Sequence, residues 1–564
     1  MKFKDYKYER LNYETTSQQY KDLINKLQRC QDAATFYQVF KEINVLDSHL
    51  ETMVSLCYVR HSIDTSDKFY DEETEYWDKT LPNYQVFQNE IYDIILSVPF
   101  KEELKEFIPD TYFKMAEFAQ KSFSKEIIPL LQEENSLVSK YGKLKASAKI
   151  PFENEILNLA QIHAKTLVKD RNQRKAAYDA KINFYAKHEA EFDDIFDKLV
   201  KVRTKIAKEL GYKNFIELGY LRMNRFDYDQ KMVANYRKQI KEDVVPLVNS
   251  LFVRQARRLN LESLKYYDES FEFLTGNPKP KGTPKELVAK AVNMYHDMSP
   301  ETKEFIDVMN EADLWDLESK PSKEMGGYCT TFPDYKVPFI FSNFNGTSGD
   351  VDVLTHEAGH AFQAYQSKDI EVLACQSPTY ESCEIHSMSM EFFAYKYMPD
   401  FFKEDTDKYY FLHLEGTLKF LPYGVLVDHF QHVVYEHPEM SIAERKAAYR
   451  KLEKEYLPRR DYEDNELLNK GCYWYQQGHI FQSPFYYIDY TLAQVCALQF
   501  WGRMQDNDPN YWKDYLHLCK LGGTKSFVNL VKEANLKSPF EDGCLKDVVK
   551  KCSDYFATID DTKL

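Results

Sequence analysis

Two histidines, His356 and His360, stand four positions apart in the segment HEAGH, and Glu357 directly follows the first of them. On an α-helix, residues four apart lie on one face at about 6 Å from each other, so both imidazoles can reach one metal ion. Glu357 lies about 100° further round the helix, off the ligand face but within reach of a water at the metal. The pattern can occur by chance, but this spacing is typical of catalytic zinc sites and predicts one here.

The residues around the motif predict the helix that would carry it. Asp350 is a candidate N-cap residue, and Asp352 would lie in the first turn, where a carboxylate favours the helix dipole. Gly359 argues against an ideal helix, because glycine in a helix interior costs about 1 kcal/mol relative to alanine. We therefore expect either an imperfect helix or another element packed close to the backbone at Gly359.

A catalytic zinc ion normally has three protein ligands and an open fourth position, so the sequence should supply one more ligand. Ser377 and Pro378 fit a helix cap and first-turn position, and the segment after them is predicted to be a helix. It carries four possible ligands: Glu381, Glu384, His386 and Glu391. Glu384 and Glu391 share a helix face, so one could bind the metal while the other orients a histidine ligand. Spacing alone leaves this choice open.

Composition excludes several functional classes. The chain has 564 residues, enough for two or more domains, and its 74 basic and 89 acidic residues give a net charge of -15, which disfavours nucleic acid as a partner. The N-terminus lacks a signal-peptide segment and no run of about 18 apolar residues occurs, so we expect no membrane association and a cytoplasmic location. The ten cysteines include no CxxC pair, which predicts neither a thiolate zinc site nor a disulfide framework.

Long stretches with apolar residues three and four positions apart, and only 18 glycines, predict a mainly α protein. The clearest strand signal, Val337–Phe344, lies just before HEAGH, so a small β-sheet should flank the metal helix. An extended substrate could add to the edge of that sheet, although a strand buried only for packing fits equally well. The breaker-rich loop 276–282 should end where Thr283 caps a helix with Glu286 as its capping-box partner.

Beyond these separate motifs, the chain resembles the oligopeptidase F and thimet oligopeptidase family of zinc peptidases, within the gluzincins, and especially its bacterial oligopeptidase F-like, or Pz-peptidase-like, members. The resemblance runs from about Asp170 to the C-terminus, and its order and spacing are more specific than HExxH alone. The matching segments are 211–215, 326–329, 356–360, 384–387 and 428–431. The resemblance implies that Glu384 is the third ligand of one zinc ion, beside His356 and His360, and that Glu391 orients a ligand histidine.

The family also has a histidine and tyrosine cluster near the C-terminus, which here includes His479, Tyr487 and Tyr490. By this resemblance, these side chains would hold the peptide or donate hydrogen bonds to the oxyanion that develops during hydrolysis. Ile488 stands where many family sequences have tyrosine. The alignment can therefore slip by one, which leaves open whether Tyr486, Tyr487 or Tyr490 faces the oxyanion.

The resemblance further implies a helical shell around a deep substrate channel, with an N-terminal helical region at 1–165 and a zinc peptidase catalytic region at 166–564. The implied activity is that of a zinc metalloendopeptidase acting on short peptides, as a monomer or small homo-oligomer, with Glu357 as general base for a zinc-activated water. One alternative is a carboxydipeptidase of the same fold, which would need a cation for the terminal carboxylate of its substrate. The other is a non-catalytic peptide-binding protein with a degenerate site.

Overall fold

The computed structural model describes all 564 residues, and most of them lie in α-helices. The first seven helices are α1 (Tyr13–Arg29), α2 (Ala33–Ile63), α3 (Lys68–Ser97), α4 (Lys101–Leu104), α5 (Asp110–Ser122), α6 (Ile128–Ala146) and α7 (Leu159–Lys165). The next seven are α8 (Arg171–Lys187), α9 (Glu189–Glu209), α10 (Phe215–Arg222), α11 (Gln230–Gln239), α12 (Val245–Arg258), α13 (Pro284–Met298) and α14 (Pro300–Glu311).

The C-terminal half continues this helical pattern. Its helices are α15 (Gly349–Ser367), α16 (Tyr380–Phe393), α17 (Met398–Phe402), α18 (Thr406–Glu436), α19 (Ile442–Tyr456), α20 (Glu466–Asn469), α21 (Gly478–Gln482), α22 (Tyr487–Gln505), α23 (Tyr511–Leu521), α24 (Phe527–Glu533) and α25 (Cys544–Ala557). None of them combines the length and the apolar composition that a bilayer span requires. The predicted mainly α fold is confirmed.

Strands form only two small sheets. One is an antiparallel hairpin of β1 (Ile150–Phe152) and β2 (Glu155–Leu157), and the other contains β3 (Trp315–Glu318), β4 (Tyr328–Phe332) and β5 (Val337–Phe344). β5 is the central strand of the second sheet, parallel to β3 and antiparallel to β4, and most of its residues are buried. The predicted strand is thus confirmed with its bounds, and α15 packs directly against β5 and β4.

The helix that carries HEAGH starts slightly earlier than its sequence predicts. It begins at Gly349 with Ser348 at the N-cap position, so the prediction of Asp350 as the cap was wrong. The Asp350 carboxylate instead accepts hydrogen bonds of 2.8 Å from the backbone N–H groups of Asn345 and Gly346 in the preceding loop. Asp350 therefore anchors the loop to the first turn of α15.

The start of α16 is also shifted. The helix begins at Tyr380 after Thr379, so Ser377 and Pro378 precede it and do not cap it. The cap predicted for α13 is correct, because Thr283 and Glu286 form a capping box there. The sequence thus predicts both α16 and α13, but it predicts the correct capping residue only for α13.

The N-terminal helices share one continuous hydrophobic core with the rest of the chain. Polar contacts also join them, since the hydroxyl of Tyr141 donates to the carbonyl of Tyr475 at 3.0 Å and that of Thr111 to the carbonyl of Gly523 at 2.7 Å. The predicted boundary between 165 and 166 falls directly after α7 and stays a prediction. All ten cysteines are unpaired.

Four helices, α15, α16, α18 and α22, carry most of the predicted site residues and their neighbours. α16 packs against both α15 and α22, and α22 also packs against α18. α22 is buried along most of its length, as expected of a helix that is apolar on all sides. Side chains from these four helices therefore meet in the interior.

Candidate active site

The three predicted metal ligands converge. His356 and His360 on α15 and Glu384 on α16 offer ligand atoms that all lie within 4.8 Å of one another. Nε2 of His356 lies 3.4 Å and Nε2 of His360 3.5 Å from Oε2 of Glu384. Two imidazole nitrogens and one carboxylate oxygen are a donor set that zinc takes in catalytic sites, with one position left for water. The residues therefore fit one zinc ion.

Gly359 explains how α15 and α16 come so close. A Cβ atom added at this position would lie 2.7 Å from both the carbonyl oxygen of His386 and the Cα of Ser387 on α16. The helix continues without a break through Gly359, so the imperfect helix weighed above is wrong and the close packing is right. The glycine allows the two backbones to touch one turn from the ligands.

A carboxylate contacts one of the candidate ligand histidines. Oε1 of Glu391 lies 2.6 Å from Nδ1 of His356, and its Oε2 lies 2.6 Å from Nε2 of His413 on α18. A carboxylate on Nδ1 fixes the ring and leaves Nε2 for a metal. Nδ1 of His413 in turn lies 2.7 Å from the hydroxyl of Tyr395. Sequence reasoning missed His413, because nothing in its spacing relates it to HEAGH, and its only signal is an isolated histidine in α18.

Charge balance keeps the carboxylates ionised. Burial raises the pKa of Glu384, but hydrogen bonds and charge from His356 and His360 outweigh it and leave the pKa well below its usual range. Burial is likewise outweighed at Glu391, where His356 and His413 lower the pKa to about 2. Burial lowers the pKa of His356, but Glu384 and Glu391 outweigh it and raise the pKa.

Glu357 lies on the side of α15 that faces the sheet. Its Oε1 lies 3.9 Å from where a Cβ of Gly327 would be, just before β4. Burial raises the pKa of Cys329 on β4 and the charge of Glu357 raises it further, so the carboxylate faces this strand. The charge of Glu357 also raises the pKa of Tyr490, although burial and the charges of Glu384 and Asp489 have larger effects. Glu357 thus lies between the sheet and the tyrosines.

The predicted histidine and tyrosine cluster also assembles. The ring of His479 on α21 lies 4.8 Å from that of Tyr487 and 5.8 Å from that of Tyr490, measured between centroids. Tyr486, just before α22, lies 5.0 Å from Tyr490. Burial raises the pKa of Tyr490, and the charge of Glu384 adds to the increase, so the phenol keeps its proton and can donate.

The three tyrosines differ in what they face. For Tyr486, burial raises the pKa, and Tyr490 and the charge of Glu384 raise it further. Its ring lies 4.8 Å from that of Tyr380 on α16, the helix that carries Glu384. For Tyr487, burial and other tyrosines raise the pKa, and its ring packs 5.7 Å from that of Phe420. Tyr486 and Tyr490 therefore lie towards the ligands, whereas Tyr487 lies towards α18.

Gln477 contacts the ring of His479. The hydroxyl of Tyr423 donates to Oε1 of Gln477 at 2.8 Å, and Nε2 of Gln477 lies 2.8 Å from Nδ1 of His479. With the amide in this orientation, Nδ1 accepts and Nε2 carries the proton. Burial, with the charge of Lys145, lowers the pKa of His479, so the ring is neutral near pH 7 and offers an Nε2–H donor.

A cavity of about 570 Å³ lies beside these groups, within the range of small-ligand sites. Residues of α15, α16, α18, α21 and α22 line it. They include Asp352, Met388, Phe420, His479, Tyr487 and Tyr490. His356, His360 and Glu384 do not line this cavity, but Glu391, which contacts His356, does.

Comparison with known proteins identifies family models and solved structures that are similar to this chain over most of its length. Residues 3–123 match the family described as the Peptidase M3 N-terminal domain, and residues 165–549 match Peptidase family M3. A Pz peptidase A solved with an inhibitor and a 3.1 Å X-ray structure assigned as an oligoendopeptidase F are each 49% identical, with a TM-score of 0.93 and full coverage of both chains. A protein of Bacillus anthracis strain Ames, also assigned as an oligoendopeptidase F, is 50% identical with a TM-score of 0.89, covering 100% of this chain and 99% of that one. The search of curated proteins gave no match.

Proposed function

This chain belongs to peptidase family M3 and is an oligopeptidase F-like peptidase, and on that premise we propose that it is a zinc metalloendopeptidase that cleaves short peptides. The observation that carries the proposal is the convergence of His356, His360 and Glu384 within 4.8 Å. The cavity of about 570 Å³ beside them has room for a few residues of a peptide and not for a folded domain.

Zinc held by His356, His360 and Glu384 would supply an activated water and a Lewis acid for the peptide carbonyl. Glu357 takes a proton from the attacking water and delivers it to the leaving nitrogen. Glu391 holds Nδ1 of His356, so that Nε2 keeps its lone pair for the metal. The chemistry of each group supports these assignments, and the roles of Glu384 and Glu391 also rest on the family resemblance.

Hydrogen-bond donors near the ligands would stabilise the oxyanion. Tyr490 and Tyr486 keep their phenolic protons and lie towards Glu384, and His479 offers its Nε2–H. One preorganised donor of this kind contributes about 3 kcal/mol to transition-state stabilisation in other enzymes. Tyr487 forms part of the cavity wall with Phe420, which supports a role in holding the peptide.

The cavity lining favours an endopeptidase over a carboxydipeptidase. No lysine or arginine lines the cavity. The cavity therefore offers no permanent cation for the terminal carboxylate of a substrate, whereas the neutral backbone of an internal peptide segment needs none. Amidation of the substrate C-terminus should therefore leave cleavage unchanged, and loss of cleavage on amidation would favour the carboxydipeptidase.

The decisive experiment is the Glu357→Gln variant, measured with a fluorogenic peptide. It should lower kcat by about 10²- to 10⁴-fold, because the general base is lost, while zinc content and thermal unfolding stay as in the wild type. Glu436→Gln, an exposed Glu-to-Gln change at the end of α18, is the matched control and should keep wild-type turnover. Wild-type turnover by Glu357→Gln would refute the role of Glu357.

A further inference from the structure

Phe485 has an unusual backbone conformation directly before the tyrosine cluster. Its φ is 69°, in the left-handed region that bulky L-residues rarely adopt, and its side chain is fully buried. It precedes Tyr486, which stands at the N-cap position of α22 and makes no side-chain capping bond. Such strain persists only where the surroundings fix the conformation, and it often occurs at functional sites.

The backbone N–H of Phe485 is held by Gln431 from α18. Oε1 of Gln431 accepts this N–H at 3.0 Å, while Nε2 of Gln431 donates to the carbonyl of Val427 at 3.2 Å. The second bond orients the amide so that its oxygen faces the turn. Both bonds are buried, where hydrogen bonds are electrostatically stronger than in water.

The carbonyl of Phe485 is held by Arg225. Nη2 of this buried guanidinium donates to the carbonyl and also to Oδ1 of Asp489 at 2.9 Å. Asp489 lies in the first turn of α22, so Arg225 ties the strained turn to the start of the helix. The guanidinium is itself fixed over the ring of Tyr220, 4.3 Å from its centroid.

The ring of Phe485 is fixed as well. A Cβ atom at Gly219 on α10 would lie 2.5 Å from Cδ2 of Phe485, so the ring fills the space that the glycine leaves. The ring also packs 4.9 Å from that of His432 and 5.7 Å from that of Tyr435. Backbone and side chain of this one residue are therefore held from three sides.

We propose that Gln431, Arg225 and Asp489 are positioning residues, which hold the turn at Phe485 and thereby place the phenols of Tyr486 and Tyr490 for the reaction. The inference rests on the proposed function, since it gives these phenols their task. It also assigns a role to the 428–431 segment on α18, which the peptidase mechanism leaves unexplained. Gln431 acts through the tyrosines and does not touch the substrate.

A double-mutant cycle tests this coupling. Gln431→Leu should lower kcat by about 10- to 100-fold, as expected for phenols displaced by up to about 1 Å, with KM within about twofold and zinc content unchanged. In a background that carries both Tyr486→Phe and Tyr490→Phe, the same change should have almost no further effect on kcat, because both phenols that Gln431 positions are already gone. Losses that multiply in the combined variant would overturn the inference.

Gln239→Leu is the matched control for general loss of stability. Gln239 is also buried, and its Oε1 accepts the N–H of Gly543, which has a φ of 82° and precedes α25. Gln239→Leu removes the same kind of contact away from the tyrosines. It should lower thermal stability and leave kcat unchanged, and an equal loss of kcat would show that Gln431→Leu acts through stability alone.

Two further measurements keep the inference testable if Gln431→Leu folds poorly. Gly219→Ala pushes on the ring of Phe485 without removing a polar group, and it too should lower kcat only when the phenols of Tyr486 and Tyr490 are present. A phosphinic peptide, whose tetrahedral phosphorus mimics the intermediate, should bind Gln431→Leu more weakly by the factor by which kcat/KM falls. Unchanged affinity for this compound would overturn the inference.

The outcomes also separate this inference from the proposed function. A zinc-loaded wild type that cleaves no peptide would overturn both. An active wild type with multiplying losses in the cycle would overturn the positioning role and leave the peptidase mechanism intact.

Discussion

The candidate metal ligands and the tyrosine cluster are built in different ways. The ligands lie on two helices that are neighbours in sequence, α15 and α16, and these touch backbone to backbone at Gly359. The tyrosines follow a strained turn that Gln431 and Arg225 hold, and Arg225 is 260 residues away from Phe485. Helix geometry and one close crossing produce the first arrangement, whereas the second depends on contacts between distant segments. We therefore expect the two to respond separately to mutation.

The largest effect should come from Glu384→Gln. The neutral amide is a poor zinc ligand, and the change also removes the negative charge that balances the two histidines, so bound zinc and turnover should both be lost. Zinc content after gel filtration and kcat with a fluorogenic peptide would be measured together. A variant that retains stoichiometric zinc would contradict the assignment of Glu384 as a ligand.

Glu391→Gln is the matched change on the same helix face. It weakens the orientation of His356 but leaves all three ligands, so zinc affinity should fall by only about 10- to 100-fold. The difference between the two variants separates a ligand from the group that orients it. Equal losses of zinc in the two variants would contradict the assignment of Glu384 as a ligand and Glu391 as the group that orients His356.

The next effect concerns the tyrosine side of the comparison. Tyr490→Phe removes one donor to the oxyanion and should lower kcat by about 10²- to 10³-fold, with zinc content and thermal unfolding unchanged. Tyr487→Phe should cost less, because its ring faces α18. Loss of zinc from Tyr490→Phe would show that the metal ligands and the tyrosine cluster do not respond separately to mutation. A larger loss of kcat in Tyr487→Phe than in Tyr490→Phe would mean that Tyr487, and not Tyr490, is the more important donor.

Sequence alone predicted the parts of the site that depend on local spacing. HEAGH places two imidazoles on one helix face whatever surrounds it, and β5 and the capping box at Thr283 follow from equally local signals. The choice of Glu384 among four possible ligands needed the family resemblance, because helix spacing allowed others. The convergence of His356, His360 and Glu384 in the structure agrees with that choice.

Contacts between distant segments could not be predicted in this way. His413 reaches Glu391 only because the fold brings α18 to the end of α16, and no local pattern encodes that contact. The positive φ of Phe485 is equally hidden, since an aromatic residue gives no signal for a left-handed turn. The shifted caps at Asp350 and Ser377 have a more modest cause, because several residues near each helix start can act as a cap.

The smallest expected effect tests the close crossing on the metal side. Alanine normally stabilises a helix relative to glycine by about 1 kcal/mol, but at Gly359 its methyl group would lie 2.7 Å from the backbone of α16. Overpacking of this kind costs about 1 to 3 kcal/mol, so Gly359→Ala should lower Tm and weaken zinc binding as Glu384 moves away. Gly142→Ala on α6 is the control, because no atom lies within 4 Å of its added Cβ and it should raise Tm slightly. If both alanines raise Tm, then the two helices can separate freely, and Gly359 does not set the distance between the histidines and Glu384.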